Sequence, residues 1–298
     1  MRIVSLLPSA TEIAYALGLG DDVVGVTHEC DWPPEAAAAR VVSTSTLPPA
    51  PTPAEVDRLV SASIGGGEPI YRLDHSAIRE LRPDVVLTQD LCAVCAVPAG
   101  HVTEALSLLG SPAEVVSLDP GSLGEVLGCL LQVGRVTGTL PRARAVVDGL
   151  KARLAAVAAA VAGLPRPRTF ALEWSDPPFN AGHWVPEMIE LAGGNSVLSS
   201  PGIPSVRVTW EQIAEAEPEV VVFMPCGYDL EAAAQEAEGL LARPELAGVT
   251  SLFAVDANAC FSRPGPRLVD GVEILAAALH PEVCPAADVR RLVRVQRG

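Results

Sequence analysis

Positive charge is scarce in this sequence of 298 residues, because 21 lysine and arginine residues stand against 36 acidic ones and leave a net charge of -15. A surface this acidic repels phosphate backbones and anionic lipid headgroups. The sequence also lacks the run of about 18 apolar residues that a membrane-spanning helix needs. Both absences argue against nucleic-acid binding and against membrane insertion.

The opening MRIVSLLPSATE has neither the basic segment nor the apolar segment of a secretory leader. We therefore expect a cytoplasmic location, whereas removal of a leader from a longer precursor would give a periplasmic or cell-surface one. The cysteines number seven, and an odd number in a chain of this size argues against a secreted disulfide framework. Reduced thiols are the expectation.

Short β-branched runs alternate with amphipathic stretches along the whole chain. The first half contains RIVSLL, DVVGVT, DVVLTQ and EVVSLD, and the second half contains TFALEW, EVVVFMP and SLFAVD. This alternation predicts βαβ units with mostly parallel sheets. The spacing between Ser9 and Glu12 matches a capping box, which predicts a helix beginning near Ser9.

A long helix is predicted between the two halves, from Pro141 in its first turn to Gly163 at its end. Its apolar stripe consists of Val146, Leu150, Leu154, Val157 and Val161. The resulting fold class is α/β, with two Rossmann-like lobes joined by one long interlobe helix and a ligand cleft between them. The predicted boundaries are 1–120 for the N-terminal lobe, 121–165 for the connecting segment with the helix, and 166–298 for the C-terminal lobe.

Several stretches carry a resemblance to a known family. They are SLLPSATEIAYALGLGDDVVGVTHECDWP, YRLDHSAIRELRPDVVLTQDLCAVCAV, DPPFNAGHW and SRPGPRLVDGVEIL. They resemble the cobalamin-binding branch of the class III, or helical-backbone, substrate-binding proteins of ABC importers, over nearly the whole chain. The resemblance implies cobalamin as ligand and an ABC importer as partner. It also implies a ligand contact at Phe179 and a transporter-docking contact at Glu211.

The sequence departs from the family pattern at several positions. The second docking glutamate of the family falls at Ser76, and a tryptophan that contacts the corrin ring aligns with Ser205. An aspartate and a tryptophan near the C-terminal part of the site align with Ala259 and Cys260. Together with the opening that lacks a leader, these departures suggest a cytosolic relative that stores, delivers or senses its ligand without feeding an importer.

Sulfur, imidazole and indole groups follow several predicted strands, where open α/β sheets bind their ligands. The predicted ligand-binding residues are His28, Cys30, Trp32, Cys92, Cys95, Trp174, Phe179, Cys226, Cys260 and Arg263. Trp184 lies in the same predicted loop as Phe179, and a flat macrocycle would stack on such rings. Arg263 could bind an amide or a carboxylate of the ligand.

Three of these residues are also metal-ligand candidates. A neutral imidazole at His28 suits cobalt or iron, and the C-x-x-C spacing of Cys92 and Cys95 suits a metal or a disulfide. The alternatives are a loop histidine that caps backbone groups and two buried thiols in a tight turn.

The leading hypothesis is therefore a protein that binds cobalamin or a related corrinoid for storage, delivery, sensing or uptake. Its partner would be an ABC importer or a cobalamin-dependent enzyme. The alternatives are a binder of haem or another metal chelate, and a cytosolic enzyme that uses the thiols and His28 with zinc or iron. The sequence offers no nucleophile-and-base set with a known spacing, so an enzyme is the less favoured hypothesis.

Overall fold

The computed structural model describes residues 1–46, 52–66, 70–90, 99–108, 110–284 and 289–296. The chain forms two compact units, of which the first contains Met1–Pro120 and Leu127–Val147 and the second contains Gly121–Val126 and Asp148–Gly298. Each unit is built around its own β-sheet with flanking helices. The predicted α/β class with two sheet-containing lobes is confirmed.

The first unit alternates short strands with helices. Its elements in chain order are β1 (Ile3–Ser5), α1 (Pro8–Ala16), β2 (Val23–Thr27), β3 (Arg40–Ser45), α2 (Pro53–Gly66), β4 (Tyr71–Leu73), α3 (His75–Leu81), β5 (Val85–Thr88), α4 (Ala99–Leu108), β6 (Glu114–Ser117), α5 (Leu123–Val136) and α6 (Leu140–Ala160). The first four residues of α5 and the second part of α6 belong to the second unit.

The sheet of the first unit has the described strand order β4-β3-β2-β1-β5-β6, and β4 is antiparallel to β3 while the other neighbours are parallel. The central strands β1 and β5 are buried along their whole length, as expected for parallel strands covered on both faces. The candidates His28, Cys30 and Trp32 follow the carboxyl end of the neighbouring strand β2.

Helix α1 corrects the predicted capping box. The helix begins at Pro8 with Leu7 as its extended N-cap, and no side chain caps it. A proline fits the first helical position because its fixed φ is pre-organised and its missing N–H would have no partner there. Ser9 is therefore already helical and buried, and Glu12 is buried one turn later. The S-x-x-E spacing lies inside the helix instead of at its start.

The second unit repeats the α/β alternation. Its elements are β7 (Arg168–Ser175), β8 (Pro178–Asn180), α7 (Val185–Leu191), β9 (Asn195–Ser196), α8 (Trp210–Glu215), β10 (Val220–Phe223), α9 (Leu230–Leu240), β11 (Ser251–Val255), α10 (Ala257–Cys260), α11 (Leu268–Leu279) and β12 (Leu292–Val295).

The sheet of the second unit has the described order β12-β11-β10-β7-β8, with β9 paired to β7. The strands β7, β10 and β11 are parallel, so their carboxyl ends lie at one edge of the sheet. Phe170 and Leu172 of β7 and Phe223 of β10 form the core of this unit with the alanine face of α9. The continuous apolar run of β10 is fully buried, in agreement with its central position.

The long helix α6 agrees closely with its prediction. It runs from Leu140 to Ala160, Pro141 lies in its first turn, and Gly163 adopts a positive φ of 77° just beyond its end. Four predicted stripe residues are buried: Leu150, Leu154, Val157 and Val161. Val146 is only partly buried. In the first two turns of the helix, the buried positions are Ala143 and Val147 instead.

The C-terminal part of α6 is fastened to α11 by an ion-pair network. Nη2 of Arg153 donates hydrogen bonds to Oδ1 of Asp270 at 2.6 Å and to Oε2 of Glu273 at 2.7 Å, and Nε donates to Oε1 of Glu273 at 2.9 Å. These side chains are partly exposed, so solvent screening limits their contribution to stability. The network fixes the orientation of the guanidinium more than it stabilises the fold.

Gly271 of α11 provides a test of the packing in the second unit. A Cβ at this position would lie 2.3 Å from the carbonyl oxygen of Cys260 and 2.7 Å from Cε of Met188, whereas a Cβ at Gly239 of α9 would meet nothing within 4 Å. We predict that Gly271→Ala lowers the free energy of unfolding by about 2 kcal/mol or more through overpacking. Gly239→Ala, the matched control, should raise it by about 0.5–1 kcal/mol.

Urea unfolding followed by tryptophan fluorescence measures this difference. Three of the four tryptophans, Trp174, Trp184 and Trp210, belong to the second unit, so the signal reports mainly on that unit. Equal stabilities of the two variants would contradict the close packing of α11 on α10.

Candidate functional site

Two aromatic side chains lie together at the carboxyl end of β7. Trp174 is directly opposite Phe179 in the antiparallel pair of β7 and β8, so their side chains share one face of the sheet. Between Leu172 and Trp174 the register shifts by one residue, so that two residues of β7 oppose one of β8. A bulge of this kind redirects the side chains that follow it. Both rings are half-buried, which leaves part of each accessible to a ligand.

Tyr228, in the loop after β10, completes this surface. Its ring meets the ring of Trp174 edge to face, with centroids 5.9 Å apart and an interplanar angle of 83°. Such pairs contribute about 0.5–1.5 kcal/mol beyond the apolar area that they bury. The loop turns at Gly227, which adopts a positive φ of 86°. We call Trp174, Phe179 and Tyr228 the aromatic cluster. The sequence analysis missed Tyr228, although its position shortly after a central strand is the signal that could have identified it.

A further chain segment, 203–208, runs antiparallel beside β8 and supports the cluster. The N–H of Val208 donates to the carbonyl of Pro178 at 2.9 Å, and the N–H of Asn180 donates to the carbonyl of Val206 at 3.1 Å. The guanidinium of Arg207 lies over the Phe179 ring, 5.5 Å from its centroid. Gly182 permits this approach, because a Cβ there would lie 2.2 Å from the backbone nitrogen of Ser205.

A carboxylate contacts Tyr228 of the aromatic cluster and the residue that follows Trp174. The hydroxyl of Ser175, the residue after Trp174, donates a hydrogen bond to Oε1 of Glu236 on α9. Burial, the charge of Glu236 and a hydrogen bond to it raise the pKa of Tyr228 to about 12. The phenol of Tyr228 therefore stays protonated at neutral pH.

In the first unit, His28 directly follows β2. Its Nδ1 lies 3.3 Å from the carbonyl oxygen of Ser43 and 3.3 Å from the hydroxyl of Thr27. In the tautomer whose Nδ1 donates to the Ser43 carbonyl, Nε2 carries the lone pair. Nε2 lies 4.0 Å from Oε1 of Glu29, and the side chain is 34% exposed. The imidazole is thus oriented as metal-binding histidines are, with its second nitrogen held by a backbone carbonyl.

Cys30 and Trp32 follow His28 but face different surroundings. Cys30 is buried, and its Sγ lies 3.1 Å from the hydroxyl of Thr11 on α1. Trp32 is 40% exposed and precedes Pro33, with which it forms a cis peptide bond. The thiol therefore packs inside the first unit, while the indole offers an accessible face.

The thiols of the second unit differ strongly in exposure. Cys226 is exposed just after β10, whereas Cys260 is completely buried at the end of α10. Burial raises the pKa of the Cys260 thiol to about 12, although Nη1 of Arg291 donates a hydrogen bond to its sulfur at 3.2 Å. The predicted ligand contacts of Cys30 and Cys260 gain no support from this packing. Arg263 is half-buried in the loop between α10 and α11.

Trp184 requires a correction. The indole is buried, and its Nε1 donates a hydrogen bond to the carbonyl of Phe261 at 2.8 Å. Its aromatic area is therefore used in the core of the second unit. It does not belong to the ring surface formed by Trp174 and Phe179, because the chain has left the edge of the sheet before it reaches position 184.

The metal-ligand candidates are only partly described. Cys92 and Cys95 lie outside the described residues. Within the described ranges, no group of three or more His, Cys, Asp and Glu side chains is arranged to hold a metal ion. The described residues therefore give no support to the alternative of a thiol or metal enzyme that uses His28, Cys30 and Cys226.

The two positions considered for transporter docking are both exposed. Glu211 is the second residue of α8, where hydrogen bonds from its own backbone N–H and from Thr209 hold its pKa below its ordinary value. Ser76 lies in the first turn of α3, and its hydroxyl donates to Oδ1 of Asp74 at 2.9 Å. The docking role of Glu211 stays a prediction. Among the described helices, none has the length and apolar character needed to cross a bilayer.

The comparison with known families agrees with this architecture. A family model described as a periplasmic binding protein matches residues 3–253. The chain therefore belongs to the periplasmic binding protein family. The fold is of the class III type, with two sheet-containing lobes.

Relatives include a vitamin B12-binding protein of Vibrio cholerae serotype O1, which is 25% identical over 280 residues, or 91% of this chain and 86% of that protein. An uncharacterised ABC transporter substrate-binding lipoprotein of Bacillus subtilis is 26% identical over 288 residues, or 94% of this chain and 80% of that protein.

Solved structures share the fold at lower identity. A periplasmic haem-binding protein from Pseudomonas aeruginosa has a TM-score of 0.73 and 21% identity, with coverage of 99% of this chain and 98% of that chain. The periplasmic vitamin B12-binding protein of Vibrio cholerae has a TM-score of 0.65 and 22% identity, with coverage of 93% and 96%.

The contrast between Cys226 and Cys260 can be tested by thiol alkylation. Because the thiolate is the reactive form, a buried thiol with a pKa of about 12 should react at least about 1,000-fold more slowly at pH 8 than an exposed one of ordinary pKa. Iodoacetamide labelling followed by peptide mass spectrometry measures both rates in one sample. About 6 M guanidinium unfolds most domains, so the two alkylation rates should become equal in it. Equal rates in the native protein would disprove the burial of Cys260.

Proposed function

We propose that this protein binds cobalamin or a related corrinoid. The observation that carries the proposal is the aromatic cluster, in which Trp174 and Phe179 share one face and Tyr228 supports the tryptophan. A flat macrocycle needs rigid aromatic faces for stacking, and this chain has few aromatic residues to provide them. The Vibrio cholerae relative, which matches most of the chain, is a vitamin B12-binding protein.

His28 is the proposed axial ligand to the metal of the bound macrocycle. When Nδ1 donates its proton to the Ser43 carbonyl, Nε2 carries the lone pair that would bind the metal. A neutral imidazole nitrogen suits both cobalt and iron. The same imidazole would suit the second candidate, haem or another metal chelate. A haem-binding protein of the same fold is a further reason to test this candidate.

The role in the cell is proposed from the family. Binding proteins of this kind deliver a small ligand to a partner, and the Bacillus subtilis relative is an ABC transporter substrate-binding lipoprotein. An ABC importer is therefore one proposed partner, with Glu211 as a docking residue. Storage, sensing or delivery to a cobalamin-dependent enzyme in the cytoplasm is the other proposed role.

Ligand titration tests the aromatic cluster. Purified protein is titrated with cyanocobalamin, and binding is followed by the quenching of tryptophan fluorescence and by calorimetry. Trp174→Ala or Phe179→Ala should each weaken binding by roughly 10- to 100-fold, because each removes a large stacking surface. Trp210→Phe is the matched control, since Trp210 packs on the core and under Arg243. Wild-type protein that binds neither cobalamin nor its corrinoid precursors would overturn the proposal.

Absorption spectroscopy tests His28. Replacement of an axial ligand alters the electronic spectrum of a corrinoid or a haem. Addition of aquocobalamin to the wild type should shift the visible bands, and His28→Ala should abolish the shift and weaken binding by about tenfold. His75→Ala is the control, because His75 is exposed at the start of α3 in the same unit. A shift that persists in His28→Ala would exclude ligation by this residue.

A further inference from the structure

Glu236 is a charged group that contacts a residue of the aromatic cluster and another residue next to it. Its carboxylate accepts a hydrogen bond from Ser175, which adjoins Trp174 in β7. It also interacts with the hydroxyl of Tyr228, whose ring packs against Trp174. The two strand ends that carry the cluster are thus joined through one half-buried carboxylate on α9.

The charge of this carboxylate is not neutralised by a cation. Its described partners, Ser175 and Tyr228, are neutral hydroxyl donors, and within the described part of the chain no lysine or arginine forms an ion pair with it. Asp176, which follows Ser175, is exposed and adds a second negative charge on the same loop. The guanidinium of Arg207 lies over the Phe179 ring, 5.5 Å from its centroid, whereas Tyr228 contacts Trp174.

The pKa of Tyr228 indicates how the surroundings of the aromatic cluster act on a negative charge. Its raised pKa, caused by burial and by Glu236, means that a second negative charge is disfavoured at this position. A carboxylate of a bound ligand would meet the same repulsion if it came as close as the phenol oxygen does. A neutral amide would instead offer N–H donors, which a carboxylate accepts well.

We propose that Glu236 is a specificity-determining residue that favours a macrocycle with neutral amide side chains over one with carboxylate side chains. This inference rests on the proposed function, because it takes the aromatic cluster as the ligand surface. The periphery of a corrinoid such as cobalamin ends in amides, whereas haem carries two propionates that are negative at neutral pH. Stacking on Trp174 and Phe179 accepts either ring, and Glu236 distinguishes their side chains.

The experiment compares two ligands and two matched variants. Dissociation constants for cyanocobalamin and for ferric haem are measured in the wild type, in Glu236→Gln and in Glu238→Gln. Glu238 lies on the same helix but is exposed, so its substitution changes the net charge of the protein equally. Glu236→Gln should strengthen haem binding by about tenfold relative to cobalamin, and Glu238→Gln should leave the ratio within about twofold. An unchanged ratio in Glu236→Gln, or an equal change in both variants, would overturn the inference.

A second measurement changes the ligand instead of the protein, so it does not depend on the folding of a variant. When both propionates of haem are converted to amides, the wild type should bind the product about tenfold more tightly than haem. Equal affinity for the two would overturn the inference while the proposed function stands. If the wild type binds none of the three ligands, the proposed function itself fails and the inference falls with it.

Discussion

The pairing of β7 with β8 is the constraint on which the aromatic cluster of the second unit depends. This pairing sets Phe179 opposite Trp174, and the bulge before Trp174 decides which face both rings occupy. Because side chains alternate along a strand, a slip of one residue in β8 would turn Phe179 to the opposite face. Gly182 secures the register from the other side, since only a residue without a Cβ lets segment 203–208 approach so closely. Backbone geometry therefore controls the position of Arg207 as well as that of the rings.

Burial, more than position in the sequence, separates the thiols from the aromatic groups. Cys30 lies in the loop after β2, and Cys260 ends the short helix that follows β11, yet both are buried and their sulfur atoms contact Thr11 and Arg291. A buried cysteine behaves as a small apolar residue with a weak polar group. Trp174 and Phe179 keep part of their surface exposed, because a large ring cannot be covered completely at the edge of a sheet. The same strand ends thus contain both packing residues and accessible ones.

The sequence predicted the elements whose signals are local. β-branched runs identified β1, β2, β5 and β6, and the apolar stripe identified α6 to within three residues at each end. The start of α1 near Ser9 was correct to within one residue, but the capping box was wrong because Pro8 occupies the first helical position and places Ser9 inside the helix. Trp174 was predicted as a site residue from its place at the end of a strand, and Phe179 from the family resemblance of the stretch DPPFNAGHW. Tyr228 and Glu236 were missed because their contacts with Trp174 and Ser175 join segments that are distant in the chain, and no local pattern reports such contacts.

The fold by itself leaves the ligand open, since relatives named for vitamin B12 and for haem share it. Both ligands are flat macrocycles that carry a metal, so stacking rings and an imidazole suit either one. The chemical difference between them lies at the periphery of the ring, where one carries amides and the other carries carboxylates. Under the proposed function, the aromatic side chains would select the class of ligand, and the charged side chains around them would select its member. The group that we propose for this selection is the carboxylate of Glu236, which accepts a hydrogen bond from Ser175 and interacts with Tyr228.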